Sequence, residues 1–429
     1  MTLVLVVLFG LMLLGIPVAF AILSAGMAYL ATTGGSMLVV AQRLIYGLNS
    51  FTLLAVPLFI LVGNLMDFGG ISKRLTDWAK SILGWLPGGL GIVTVFSCAI
   101  FAALTGSGPA TVAAIGSIML PSMLKAGYSR ETSAGLVASA GALGPIIPPS
   151  IPMIIYGVTM NLSIPAMFMA GVVPGLVIAL ALSLVNVVFA YRNPEVLKHA
   201  KTMKFDFKES MKLFWKALGA LGLPVLILGG IYGGIFTPTE SAAVGIVYAL
   251  ILGFALKELK VKDFPTILIN SLKTSTMVNF IIAAASLFSW VVSKSQIGIV
   301  ISNAFISFVG GSQALYLFVL VVVLLIVGCL MDNVAATLIL APILIPVGIA
   351  LGCNELHIGM LFCICLVVGF VTPPFGYNLF TAVSISGLNF KQIVKGALPF
   401  LLTEILLLFV FAYVPGIITW LPRLMGYGY

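Results

Sequence analysis

The feature that most constrains this chain is a second, displaced copy of part of itself. A shift of 225 positions sets Pro121 on Pro346, Gly127 on Gly352, Gly144 on Gly369 and Pro148-Pro149 on Pro373-Pro374. Without a gap, the match continues to Gly171 on Gly396 and Pro174 on Pro399. Glycine and proline interrupt helices, so what is duplicated is a pattern of breaks. Repeated breaks at corresponding places in an apolar chain point to a secondary transporter.

The chain is apolar enough for that reading. Of its 429 residues, 61% are hydrophobic and 8% charged, with a mean hydropathy of +1.22, which excludes a soluble globular protein. The expected fold class is an all-α polytopic membrane protein. Residues 3–31 lack a basic leader and are too long for a signal peptide, so they read as a retained first span. A net charge of +9 is no nucleic-acid signal here. Its densest stretch, 192–216, holds seven Lys/Arg against three acids between apolar blocks, as a cytoplasmic loop does. The aromatic and aliphatic residues among those lysines suit an amphipathic segment on the bilayer surface.

Nine through-going spans are expected, near 3–31, 51–70, 131–160, 165–191, 216–236, 239–256, 276–292, 356–385 and 395–421. Residues 88–124 and 314–350 each read as two halves of roughly 17 residues, short of the ~20 that a full crossing needs. They are expected to be re-entrant hairpins with tips at Thr105–Pro109 and Met331–Asn333. Lys73, Arg74, Lys80, Lys125 and Arg130 flank the first hairpin, whereas 297–313 and 351–358 carry no Lys or Arg. The two bases should therefore face opposite sides, with the N-terminus cytoplasmic and the C-terminus periplasmic.

The expected division follows from this inverted-topology repeat. Residues 1–70 are scaffold spans of the first repeat, 71–87 an amphipathic arm helix, and 88–160 its transport region of hairpin and Pro-broken helix. A closing span and basic amphipathic segment fill 161–216. Scaffold spans of the second repeat follow at 217–292, then an arm helix at 297–313, a transport region at 314–385 and a closing span at 386–429. A scaffold-plus-transport division of this kind suits an elevator.

The chemistry should lie at the breaks. Prolines at 145, 148, 149 and 152, and again at 373 and 374, remove amide donors and free carbonyls in mid-span. A partly dehydrated Na⁺ suits such carbonyls, and half-helix ends orient dipoles toward cation and anion. Two cation constellations are expected: Ala103 with Gly144, Ile147 and Pro148, and Gly328 with Asp332, Gly369, Thr372 and Pro373. Asp332 also suits an N-cap on the helix that follows, and Ser107 occupies the same place in the first copy. Thr237-Pro238-Thr239-Glu240 and Ser129-Arg130-Glu131-Thr132 read as helix starts. The five cysteines (98, 329, 353, 363, 365) read as buried small hydrophobes. With two histidines and no HExxH, GxSxG or P-loop, no enzyme is expected.

The runs TGSGPATVAAIGSIMLPSM (105–123), GYSRETSAGLVASAGALGPIIPPSIPMIIYG (127–157), GGIFTPTESAAVG (233–245), MDNVAATLILAPILIPV (331–347) and TPPFGYNLF (372–380) carry a family resemblance. The chain resembles the DctM-like large membrane subunit of tripartite ATP-independent periplasmic (TRAP) transporters over nearly its whole length. That resemblance implies a bacterial inner-membrane importer of organic acids, driven by Na⁺ at two or more sites and not by ATP. It also implies two partners, a periplasmic substrate-binding protein and a small four-span membrane subunit, and an elevator motion. Substrate contacts would come from Thr105, Ser107, Ser150, Asn378 and Thr381, small polar groups near half-helix N-termini. Cys365-Leu366, where many dicarboxylate-type relatives have Asn-Leu, and Tyr377, where a smaller residue is common, set sialic acid beside C4-dicarboxylates as a substrate expectation. The competing readings are a stand-alone Na⁺/dicarboxylate symporter, a passive channel and an intramembrane hydrolase.

Overall fold

The computed structural model describes residues 2–428 and, among them, contains helices and no strands. The first expected span is two helices, α1 (Thr2–Leu13) and α2 (Val18–Thr33), packed against each other. Gly15 at φ +79° and Pro17, which has no N–H, end one and start the other, so one apolar stretch folds back on itself. A helix not expected from the sequence, α3 (Leu38–Leu48), follows; it is bent by 69° from the next segment, which leads into α4 (Ala55–Phe68). Arg43 of α3 lies over the rings of Tyr46 and Trp290, 5.7 and 5.5 Å from their centroids. Helix α3 packs along the later helix Phe264–Lys294.

Surface helix α5 (Ile71–Leu83) leads to the first hairpin, α6 (Gly89–Thr105) and α7 (Gly108–Lys125). Next come the two halves of a broken span, α8 (Arg130–Gly141) and α9 (Ile151–Met160), and the closing helix α10 (Ile164–Tyr191). A short helix, α11 (Pro194–Thr202), precedes α12 (Phe207–Tyr232), which starts inside the basic stretch that the sequence placed in a loop. Asp206 caps it by accepting from the amides of Lys208 and Glu209. Then follow α13 (Pro238–Ala255), opened by the Thr237/Glu240 capping box, and α14 (Phe264–Lys294). The second arm is α15 (Ile297–Val309), and the second hairpin is α16 (Gln313–Leu330) with α17 (Asn333–Ala350). The second broken span is α18 (Glu355–Gly369) with α19 (Tyr377–Ser386), and α20 (Phe390–Tyr413) closes the repeat. The chain breaks again before α21 (Gly416–Leu424), which packs on α10, so the last span ends at 413 and not 421.

Helices α2–α4 pack with α13 and α14, with α1 on α2 and α12 on α13, and the hairpins pack with the broken and closing helices. Trp78 of α5 sits between Phe96 of α6 and Phe214 of α12, 6.1 and 5.6 Å away, tying the arm to both groups. On α10, Leu176, Leu180, Leu184 and Val188 form an exposed stripe at four-residue spacing, which suits lipid.

The repeat survives in three dimensions with exchanged partners. α9 packs on α17 while its counterpart α19 packs on α7; α20 packs on α8 while α10 packs on α18. Helix α20 also fixes the relative direction of the two hairpins. Near its start Gly396 lies against the backbone of Glu131, beside the first hairpin's base. Near its end the carbonyl of Phe411 is 2.9 Å from His357 Nε2, and Tyr413 donates to the Ala314 carbonyl at 3.1 Å, beside the second base. Fifteen residues of one continuous helix, about 22 Å along it, separate these contacts, so the bases lie at opposite ends of a span-length helix.

Arm length alone does not decide whether the hairpins are re-entrant, since α16 and α17 are each long and apolar enough to cross a bilayer. The tips decide it: they dock on the mid-span breaks, as described next. A membrane-impermeant maleimide should label Lys125→Cys and Ala350→Cys, in a background free of native cysteine, from opposite sides of the membrane. Labelling of both from one side would contradict the inverted arrangement.

Candidate functional site

The breaks tighten before they open. In the first, Ala142, Leu143 and Gly144 donate to the carbonyls of Ser139, Ala140 and Gly141, three residues back. In the second, Phe370, Val371 and Thr372 donate in the same way to Val367, Val368 and Gly369. Each turn then runs into a cis proline pair, 148–149 and 373–374. The exits differ. Ser150 restarts the chain by accepting from the Met153 amide while its hydroxyl donates to the Pro145 carbonyl at 2.6 Å. Gly376, at φ +60°, has no capping side chain, and the Asn378 amide reaches back to the Phe370 carbonyl at 3.0 Å.

Both hairpin tips lie against these breaks at backbone distance. A Cβ on Gly106 (φ +58°) would stand 2.9 Å from the Pro149 carbonyl oxygen, and one on Gly144 2.6 Å from the Ser107 carbonyl oxygen. One on Gly369 would stand 2.6 Å from the Gly328 Cα, and one on Gly328 2.6 Å from the Leu366 carbonyl oxygen. Only glycine permits such approach. Gly63 of α4 lies equally near the first tip, where a Cβ would be 3.3 Å from the Thr105 Cα.

The two cation constellations thus assemble unequally. Gly328 and Gly369 meet. Gly144 instead has Ser107 and Thr111 as its nearest neighbours, and the Ile147 side chain turns away onto Gly175. Even so, the carbonyls of Ala103, Gly144, Ile147, Pro148, Gly328, Thr372 and Pro373 accept no hydrogen bond among the described residues, whereas that of Gly369 receives the Thr372 amide. The Thr372 hydroxyl donates to the Val368 carbonyl at 3.0 Å, keeping its lone pairs. Beside Gly144, the hydroxyls of Thr105 and Thr111 lie 3.2 Å apart, and Thr111 donates to the Ser107 carbonyl at 2.8 Å. No group of three His, Cys, Asp or Glu side chains gathers among the described residues. An oxygen set of carbonyls and hydroxyls fits a hard cation and not a transition metal. Asp332 caps α17, accepting from the Val334 amide at 2.8 Å, but Ser107 makes no side-chain cap on α7.

A cavity of about 600 Å³ joins the two tips. Thr105–Ala110 and Asp332–Val334 line it with Tyr377 of the second break, and α4 and α14 close it with Asn64, Asp67 and Thr274. From the tips it extends along α7 to Ile118 and reaches Lys73, toward the first hairpin's base. On the opposite side, a second cavity of about 560 Å³ lies among α14, α15 and α17. Its residues Leu338, Ile339 and Pro342 are the repeat counterparts of Ala113, Ala114 and Ser117 in the first cavity. This second cavity stops short of both tips.

Thr105 and Ser107 line the joined cavity, but Ser150, Asn378 and Thr381 do not. Ser150 is buried under the first tip. Fully buried Asn378 donates to the Ala138 carbonyl of the other repeat at 3.0 Å and packs on Gly108. Thr381 donates to the Tyr377 carbonyl of its own helix. Sequence reasoning passed over Asn64, Asp67, Lys73 and Asn333 as lining residues, and read Tyr377 only as a mark of substrate class. Asn333 sat inside a motif already marked as a tip; Lys73 looked like a topology charge, and only folding brings it to the cavity.

The family described as "Tripartite ATP-independent periplasmic transporter, DctM component" matches residues 5–417. The chain is 40% identical over 411 residues to an isethionate TRAP transporter permease protein DctMQ of Oleidesulfovibrio alaskensis, covering 95% of this chain and 64% of that longer relative. It is 38% identical over 439 residues to a C4-dicarboxylate TRAP transporter large permease protein DctM of Vibrio cholerae, covering 97% and 96%. Among solved structures, the YdaH transporter of Alcanivorax borkumensis superimposes with a TM-score of 0.60 at 14% identity, over 94% of this chain and 89% of that one. The last likeness concerns fold alone.

The backbone contact at the second break is open to test. Gly369→Ala should lower the thermal unfolding midpoint in detergent, at a cost of about 1–3 kcal/mol. Gly229→Ala, where nothing lies within 4 Å of the new Cβ, should leave it unchanged or raise it.

Proposed function

The chain belongs to the DctM family of TRAP transporters, multi-span bacterial membrane proteins, and on that premise we propose that it is a Na⁺-coupled subunit importing an organic acid anion. The observation that carries this reading is one cavity uniting both hairpin tips with helices α4 and α14, flanked at each break by unpaired carbonyls. Buried carbonyls without donors are costly in hydrocarbon, so a cation that supplies the missing partner also stabilises the closed packing of tip on break. Two repeat-related breaks give two or more such sites. The half-helix N-terminus at Ser107, which no side chain caps, then offers amides to a carboxylate beside the bound cation.

The relatives named above suggest isethionate-like or C4-dicarboxylate anions, and sialic acid stays within the same class. A periplasmic binding protein would deliver the anion, and a small four-span membrane subunit would brace α1–α4 and α12–α14 in the inner membrane. The basic flanks of the first hairpin suit the cytoplasm, with the N-terminus inside and the C-terminus outside. The cavity then opens inward, and the second cavity, which stops short of the tips, is where an outward-facing one would form. Sliding of the hairpins and broken helices past α4 and α14 would exchange the two, an elevator.

The decisive experiment is uptake by proteoliposomes holding this chain, the small subunit and the binding protein. Uptake should require an inward Na⁺ gradient and stop when it is collapsed; uptake that persists would favour a channel. Transport by this chain alone, without binding protein, would favour the stand-alone symporter. Thr372→Ala should raise the Na⁺ concentration for half-maximal uptake severalfold. Gly106→Val should abolish uptake, because its left-handed φ and its contact with Pro149 admit no side chain.

A further inference from the structure

We propose that Asn333 reads a hydroxyl group adjacent to the acidic group of the transported anion, so that the substrate class is hydroxylated organic acids. The inference rests on the joined cavity being the substrate site and concerns which anions that site prefers. Asn333 is the first residue of α17, lines the cavity at the second tip and is only 2% exposed. Neither its Nδ2 nor its Oδ1 has a hydrogen-bond partner. A buried amide without partners is costly, so its place calls for something that supplies them. The fold does not demand it. The repeat counterpart, Gly108, starts α7 with no side chain at all, and the cap of α17 is already provided by Asp332.

The amide's chemistry selects the ligand. Nδ2 donates and Oδ1 accepts, so a bare carboxylate satisfies only one side and leaves a buried acceptor unpaired. An acid with a neighbouring hydroxyl satisfies both: its carboxylate accepts from Nδ2 and its hydroxyl donates to Oδ1. Two other neutral polar groups of the cavity wall are already committed. Asn64 donates to Ser271 at 2.8 Å, and Thr274 donates to the Asn270 carbonyl. Discrimination is strongest where a polar group built to pair is left alone.

The test uses the assembled membrane complex in detergent with Na⁺, following thermal stabilisation by pairs of acids that differ by a hydroxyl. Suitable probes are L-malate with succinate, glycolate with acetate, and 2-hydroxyethanesulfonate with ethanesulfonate. The hydroxylated member should bind with an apparent Kd lower by at least about tenfold. In Asn333→Leu that ratio should collapse toward one, while the acid-free protein melts no lower than the wild type because an unpaired amide has been removed. Asn333→Thr, which keeps a donor and an acceptor, should retain part of the preference. A wild type that binds both members equally would overturn the assignment, as would a Leu variant that keeps the preference or melts several degrees lower without acid. Stabilisation by none of the acids would instead sink the carrier reading, and this inference with it.

Discussion

Interrupting a helix inside a bilayer leaves carbonyl and amide groups where no water can bond them. This chain does so twice, at prolines 145–152 and 373–374, and each time presses a hairpin tip onto the interruption. The packing is backbone against backbone, through Gly106 on Pro149, Gly144 on Ser107 and Gly369 on Gly328. Side chains would hold the tips away; their absence lets unpaired oxygens gather. Stability and the ion chemistry proposed above would therefore share one arrangement.

Duplication makes that arrangement reciprocal. Because α9 lies on α17 and α19 on α7, neither repeat completes its own unit of hairpin and broken helix. Each half-helix that leaves one break supports the hairpin of the other copy. The copies are not equivalent in detail. Gly328 touches Gly369, while Ala103, in the same place, yields to Ser107 and Thr111 at Gly144. Ser107 leaves its helix uncapped where Asp332 caps. One break is rich in hydroxyls and the other is closed by paired glycines.

Much of the fold was legible because it follows from periodic and local signals. The helix starts at Ser129, Thr237 and Asp332 formed as read, since a cap involves only three or four neighbouring residues. Span ends were less legible. Gly15 and Pro17 turned one long apolar stretch into a folded pair, and α3, unmarked as a span, lies along α14. The same limit applied to the cavity: Thr105 and Ser107 line it as their glycine-rich tip suggested, but Asn378 turned into the core, where it binds Ala138.

By itself, the sequence determined where helices must fail, that the failures come in a related pair, and that the pair faces opposite ways. Those are consequences of missing amide protons, glycine freedom and charge placement, all written residue by residue. Tertiary structure alone decided which oxygens face one another, which side of the tips opens into a cavity, and that Asn333 lies buried there without a partner. Such outcomes depend on contacts between segments far apart in the chain, and no local signal encodes the direction in which a side chain meets a distant backbone.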